Sequence, residues 1–137
     1  MMLVREVMSK NVEACSTSDS LQQVASKMNT LNVGAIPVVE NGQVVGMVTD
    51  RDLAVRGLGQ GTTQLNDVMS NNIVTISPDA SLEEASSIMA SHQIRRLPVV
   101  ENGQIVGMLS LGDLAVREQS NVNAGNALSQ ISQNDFS

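Results

Sequence analysis

The sequence aligns with itself at an offset of 61 residues, and that repeat limits the fold more than any other feature. Arg5-Glu6-Val7-Met8-Ser9 lies over Asn66-Asp67-Val68-Met69-Ser70. Ile36-Pro37-Val38-Val39-Glu40-Asn41-Gly42-Gln43 lies over Leu97-Pro98-Val99-Val100-Glu101-Asn102-Gly103-Gln104. Asp52-Leu53-Ala54-Val55-Arg56 lies over Asp113-Leu114-Ala115-Val116-Arg117. Roughly 24 of about 53 aligned positions are identical without a gap. A length of 137 residues suits one ordinary domain. The repeat divides it into residues 1–60 and 61–120, with a polar tail at 121–137. Units of about 60 residues bury little alone, so the halves are expected to share one core.

Both repeats carry the same local signals. Val12–Cys15 and Ile73–Ile76 read as short strands. Ser20-Leu21-Gln22-Gln23 and Ser81-Leu82-Glu83-Glu84 both match a capping box at a helix start. Leu21, Val24, Ala25 and Met28, and likewise Leu82, Ala85, Ile88 and Met89, follow helical spacing. Asn41-Gly42 and Asn102-Gly103 predict tight hairpins, because that pair supplies positive φ at the turn. Pro37 and Pro98 are expected to start edge strands, where a missing amide costs little. A second helix begins near Thr49 and Ser110. The fold class is therefore α/β with mixed α+β character, in the order β-α-β-β-α, twice. Residues 57–64 form a Gly-rich linker. In the tail, Ala127, Leu128 and Ile131 predict one short helix packed on the module, followed by a frayed end.

Composition removes whole classes of function. The chain has 14 acidic and 8 basic residues, a net charge of −6. That balance is wrong for non-specific nucleic-acid binding. Aromatic residues make up 1%, so the usual base-stacking platform is missing. No apolar run approaches the ~20 residues of a membrane span, and the start lacks the apolar stretch of a secretory signal. One cysteine, Cys15, cannot form an internal disulfide or a Cys-rich zinc site. The single histidine, His92, sits at a helix end, where a cation complements the dipole. A small, soluble, cytoplasmic protein is expected, with no membrane and no nucleic acid among its partners. No catalytic residue, metal site or required cofactor is expected either, since no nucleophile–base pair is visible.

The Val-Met-Ser start, the Ile/Leu-Pro-Val-Val strand, the Asn-Gly hairpin and the Gly-x-x-Thr/Ser-x-x-Asp segment, in that order and twice over, resemble the CBS domain family. The likeness covers about residues 1–118. The resemblance implies a tandem pair, or Bateman module, of two repeats packed with pseudo-twofold symmetry. It implies a cleft for an adenosine-containing ligand such as AMP, ADP, ATP or S-adenosylmethionine. It also implies pairing of two modules into a homodimeric disc, and regulation rather than catalysis.

The same resemblance implies two ligand sites. The first takes Ser110, Asp113, Met108, Arg95 and Arg96 from the second repeat, joined by Gly34, Ala35, Ile36 and Val12. The second takes Thr49, Asp52, Arg51 and Met47, joined by Ile94, Leu97, Pro98 and Thr75. The chemistry is coherent. Thr49 and Ser110 stand where a strand becomes a helix, whose free amides and dipole suit a phosphate. A carboxylate at Asp52 or Asp113 can accept from two ribose hydroxyls. Arg95-Arg96 offers forked donors for phosphate, while the first repeat has Gly34-Ala35 there. The first site therefore ranks ahead for a charged nucleotide. Aliphatic and Met side chains would hold the base. Plainer readings stand beside these: Ser/Thr-x-x-Asp also caps helices, Arg95-Arg96 also suits a solvated surface, and each apolar residue also suits a core.

Two functions follow. The leading one is a regulatory module that senses an adenosine ligand and passes the change to a regulated protein still to be identified. The alternative is a ligand-independent dimerisation or protein-interaction module whose nucleotide sites have degenerated.

Overall fold

The computed structural model describes residues 2–115 of the chain. The predicted tail helix at Ala127, Leu128 and Ile131 lies outside them. The described elements are α1 (Val4–Val7), α2 (Leu21–Leu31), β1 (Ala35–Glu40), β2 (Gln43–Thr49), α3 (Asp50–Asp52), α4 (Leu65–Val68), α5 (Leu82–His92), β3 (Arg96–Glu101), β4 (Gln104–Ser110) and α6 (Leu111–Ala115). A π-helical stretch, Leu53–Leu58, continues α3.

Two compact units result. One is Glu13–Ile73; the other takes the residues on either side, up to Val12 and from Val74 on. Each holds one antiparallel pair, β1–β2 or β3–β4. The turns are Asn41-Gly42 and Asn102-Gly103, with φ of 54° and 81°, and of 53° and 78°. Positive φ at both central residues is the type I′ turn that the right-handed twist of a hairpin favours.

Each pair is covered on one face by its long helix. In the Glu13–Ile73 unit, Ile36, Val38 and Val48 pack with Val24 and Met28 of α2. In the other, Leu97, Val99 and Leu109 pack with Leu82, Ala85 and Met89 of α5. The Ser20 hydroxyl accepts from the Gln23 amide at 3.1 Å, and Gln23 accepts from the Ser20 amide at 2.7 Å. In α5 only the Ser81 half of the predicted box forms.

The predicted opening strands shrink to single parallel bridges, Cys15 to Val38 and Ile76 to Val99. Proline is the reason. Cys15 donates to the Pro37 carbonyl at 3.0 Å, and Val39 donates to the Cys15 carbonyl at 2.8 Å. The next parallel bond would need an amide hydrogen on residue 37, which proline lacks. Pro37 and Pro98 are third in β1 and β3, not first. Their ring nitrogens face this outer edge, so the pairing with β2 and β4 is unharmed. The Gly-rich linker is also shorter than predicted. The π-helical stretch runs to Leu58, closed by a Gly59 amide bond to the Ala54 carbonyl at 2.9 Å.

The one-turn helices α1 and α4 were not anticipated, and they explain two glycines. Met8 and Ser9, just after α1, cross β4. The Ser9 and Met108 backbones exchange bonds of 2.8 and 2.9 Å. Met69 and Ser70, just after α4, cross β2 in the same way, with bonds of 2.8 and 3.0 Å to Met47. A side chain on Gly107 would meet the Met8 sulfur at 2.6 Å and the Ser9 carbonyl oxygen at 2.8 Å. One on Gly46 would meet the Met69 sulfur at 2.7 Å and the Ser70 carbonyl oxygen at 2.9 Å. The opening turn of each repeat thus docks on the strand pair of the other.

Gly46→Ala and Gly107→Ala are each expected to destabilise the fold by about 1–3 kcal/mol, the usual cost of forcing a methyl into a filled space. Urea midpoints measure the loss. Gly61→Ser, at a site with nothing within 4 Å, serves as a control for added bulk: any smaller loss there comes from its positive φ alone.

Candidate functional site

The Ser/Thr and Asp residues singled out from the sequence stand at two strand-to-helix junctions. At the first, β2 ends on Thr49 and α3 begins. The Thr49 hydroxyl accepts from the Asp52 amide at 3.0 Å, and the Asp52 carboxylate accepts from the Thr49 amide at 3.0 Å. At the second, the Ser110 hydroxyl accepts from the Asp113 amide at 3.1 Å, and the Asp113 carboxylate accepts from the Ser110 amide at 2.8 Å. Both segments are reciprocal helix caps. A cap uses one acceptor position of a carboxylate that has about four. Asp52 and Asp113 therefore keep capacity for further donors while being held in one orientation.

The junctions close onto the opposite strand in the same manner. Asp50 donates to the Gly34 carbonyl at 3.0 Å, and Leu111 to the Arg95 carbonyl at 2.8 Å. Ala35 is the register partner of Thr49, and Arg96 of Ser110. Side chains alternate along a strand. Arg96, Pro98, Met108 and Ser110 therefore share one face, and Leu97 and Leu109 turn to the other. Likewise Ala35, Pro37, Met47 and Thr49 share a face opposite Ile36 and Val48.

This parity sorts the apolar wall. Ile36 and Leu97 are fully buried in the cores under α2 and α5. Their side chains point away from the face that carries Thr49 or Ser110. Ile94 also packs against the α5 core. Met108 is buried and Met47 half-buried on the junction faces. Gly34, Ala35, Ile36, Met47, Thr49, Arg51 and Asp52 belong to the Glu13–Ile73 unit. Val12, Thr75, Ile94, Arg95, Arg96, Leu97, Pro98, Met108, Ser110 and Asp113 belong to the other. Val12 is half-buried and Thr75 exposed.

The two junctions differ in charge. Arg95, Arg96 and Asp113 leave the Ser110 junction one net positive charge. Asp50, Arg51 and Asp52 leave the Thr49 junction one net negative charge. The Arg96 Nε is buried and has no hydrogen-bond partner among the described residues. A buried donor without an acceptor costs about 1–3 kcal/mol, more for a charged group. An acceptor-rich anion beside Ser110 would remove that cost. Asp50 was missed from the sequence, although setting the repeats side by side shows it. Gly34 and Asp50 stand where the second repeat has Arg95 and Leu111.

Comparison with known proteins extends over the whole described chain. The CBS domain family model matches twice, at residues 4–58 and 65–118. The CBS domain-containing protein YhcV of Bacillus subtilis is 48% identical over 136 residues, covering 97% of each chain. Among solved structures, the CBS domain pair of protein MJ0100, in complex with 5′-methylthioadenosine and S-adenosyl-L-methionine, superposes with a TM-score of 0.76 at 25% identity. That match covers 84% of this chain and 98% of the other. Hypoxic Response Protein I, with two coordinated zinc ions, superposes at 0.78 with 28% identity, covering 85% and 98%. Among the described residues here, no group of three or more His, Cys, Asp or Glu could hold a metal ion. Nor is any helix among them long and apolar enough to cross a membrane.

Cys15 bridges to Val38 at the edge of the first junction's strand pair and takes no part in the Thr49–Asp52 cap. Its thiol is buried and points to the Pro37 carbonyl at 3.6 Å. Burial, with Asp19 nearby, pushes it up from 9.0 to about 11. Only the thiolate attacks thiol reagents, so Cys15 is expected to label slowly at pH 8 in the folded chain and rapidly after unfolding. The unfolded chain releases this proton at the lower pH, so the associated stability is lost as pH rises from about 9 to about 11. Timed labelling with a chromogenic disulfide, with and without urea, checks the first statement.

Proposed function

This chain belongs to the CBS domain family, and from that premise we propose that it is a regulatory module that senses an adenosine-containing small molecule. The observation that carries the reading is the Ser110 junction. There a capped Asp113 carboxylate and the buried Arg96 Nε, with no partner among the described residues, stand at one strand end, and Arg95 is the next residue in sequence. The carboxylate suits ribose hydroxyls, and the two guanidinium groups suit phosphate. The adenosine ligands of the MJ0100 domain pair support the same class of ligand.

The Ser110–Asp113 site is the stronger of the two for a phosphorylated ligand, because the Thr49 junction lacks the basic pair. The module works in the cytoplasm without catalysis of its own. Binding favours one arrangement of the two repeats over another, to the extent that the ligand's affinity for the two differs. Pairing of two modules and contact with a regulated protein transmit the change.

Calorimetry with AMP, ADP, ATP and S-adenosylmethionine tests the reading. At least one is expected to bind in the micromolar range. Asp113→Ala is expected to weaken it about 10- to 100-fold, the worth of a hydrogen bond to a charged group. Asp52→Ala is expected to have a smaller effect on a phosphorylated ligand. Each variant also loses half of a helix cap, about 1 kcal/mol of stability, so thermal unfolding is followed alongside. No heat from any of the four ligands at millimolar concentration contradicts the proposal.

A further inference from the structure

The two strand-to-helix junctions differ at a position whose glycine neither backbone nor packing requires. Gly112 stands where the first repeat has Arg51. It lies within α6, two residues after Ser110. Its backbone is ordinary helix, since the positive φ values of the described glycines are at Gly42, Gly61 and Gly103. Beyond its chain neighbours and its own helix backbone, a β-carbon on Gly112 would meet one described atom within 4 Å, the Ser110 Oγ at 3.7 Å. That is an ordinary contact distance. A side chain would therefore fit, and nearly every other residue favours a helix more than glycine does. What the glycine provides is an exposed empty space beside the Ser110 hydroxyl.

Two donors of this junction are left unspent. The Ser110 hydroxyl accepts from the Asp113 amide at 3.1 Å. A hydroxyl also donates one hydrogen, and no described residue accepts that of Ser110. Arg96 is the register partner of Ser110 on the same face of the strand pair, and its buried Nε has no partner among the described residues. The first repeat has the opposite arrangement. Ala35 takes the place of Arg96, and a positive charge, Arg51, stands on the helix where Gly112 is bare. Each junction thus carries a cation, on the strand in one repeat and on the helix in the other.

We propose that Gly112 sets the ligand class of the Ser110 junction, selecting an adenosine ligand with two or more phosphates over one with a single phosphate. This assignment rests on the adenosine-sensing reading of the junction. The first phosphate takes the Ser110 hydroxyl hydrogen and the Arg96 Nε–H, and the space at Gly112 admits the next. Each further phosphate also adds negative charge beside Arg95 and Arg96, whose guanidinium groups match phosphate oxygens in charge and shape. At the Thr49 junction the same position carries the Arg51 side chain, so a longer phosphate chain has no such space.

AMP and ATP are titrated into the full chain, with the Ser110 and Asp113 amide shifts reporting on this junction. ATP is expected to bind at least tenfold more tightly than AMP. Gly112→Leu fills the space with an uncharged side chain. It is expected to weaken ATP at least tenfold and to leave AMP within threefold of the parent chain. Its thermal midpoint is expected to match or exceed the parent's, which separates a filled space from a damaged fold. Equal affinity for AMP and ATP in the parent chain, or equal losses of both in Gly112→Leu, overturns the assignment and leaves adenosine sensing standing. An ATP preference that survives Gly112→Leu comes from charge alone, with the same consequence. If AMP, ATP and S-adenosylmethionine all fail to shift these amides, the sensing reading falls and the assignment falls with it.

Discussion

The crossing of a methionine turn over a glycine is the contact on which the rest of this structure depends. Met8-Ser9 over Gly107, and Met69-Ser70 over Gly46, each combine a paired backbone bridge with a side chain that fills the space a β-carbon would need. Neither strand pair is a stable object alone, since two strands need further cover. Its helix covers one face, and the opening turn of the other repeat covers part of its edge. Each half of the chain therefore completes the other. The duplication is used as an exchange rather than as two independent copies.

The sequence made much of this readable, and the failures have physical causes. Asn41-Gly42 and Asn102-Gly103 were legible because a two-residue turn with two positive φ values leaves few residue choices. The caps at Ser20, Ser81, Thr49 and Ser110 were legible because capping depends on spacing within four residues. The opening strands were over-extended because Cys15 and Ile76 have strand character, while the missing amides of Pro37 and Pro98 lie more than twenty residues away. The roles of Gly46 and Gly107 were invisible for a related reason: what each glycine makes room for comes from the other repeat.

The junction residues show the same division. Ser/Thr-x-x-Asp suggested both a cap and a ligand grip, and the structure shows the cap in full at each junction. The two roles are compatible, because a carboxylate held by an amide is already oriented for a second donor. What the motif did not reveal is the asymmetry around it. Arg95 and Arg96 stand where the first repeat has Gly34 and Ala35, and Leu111 stands where it has Asp50. These exchanges make one junction basic and the other acidic. The Ile36 and Leu97 side chains, read as a base-binding wall, belong to the cores. That reassignment follows from strand parity, which is fixed once the hairpin register is known.

The central claim is that an adenosine ligand is held at the Ser110 junction. An amide-resolved NMR titration of the full chain with AMP and with S-adenosylmethionine tests it most directly. Saturable shifts at Arg95, Arg96, Ser110 and Asp113 for at least one of the two are predicted. No shift at millimolar ligand, or shifts that leave those four amides unmoved, would contradict it.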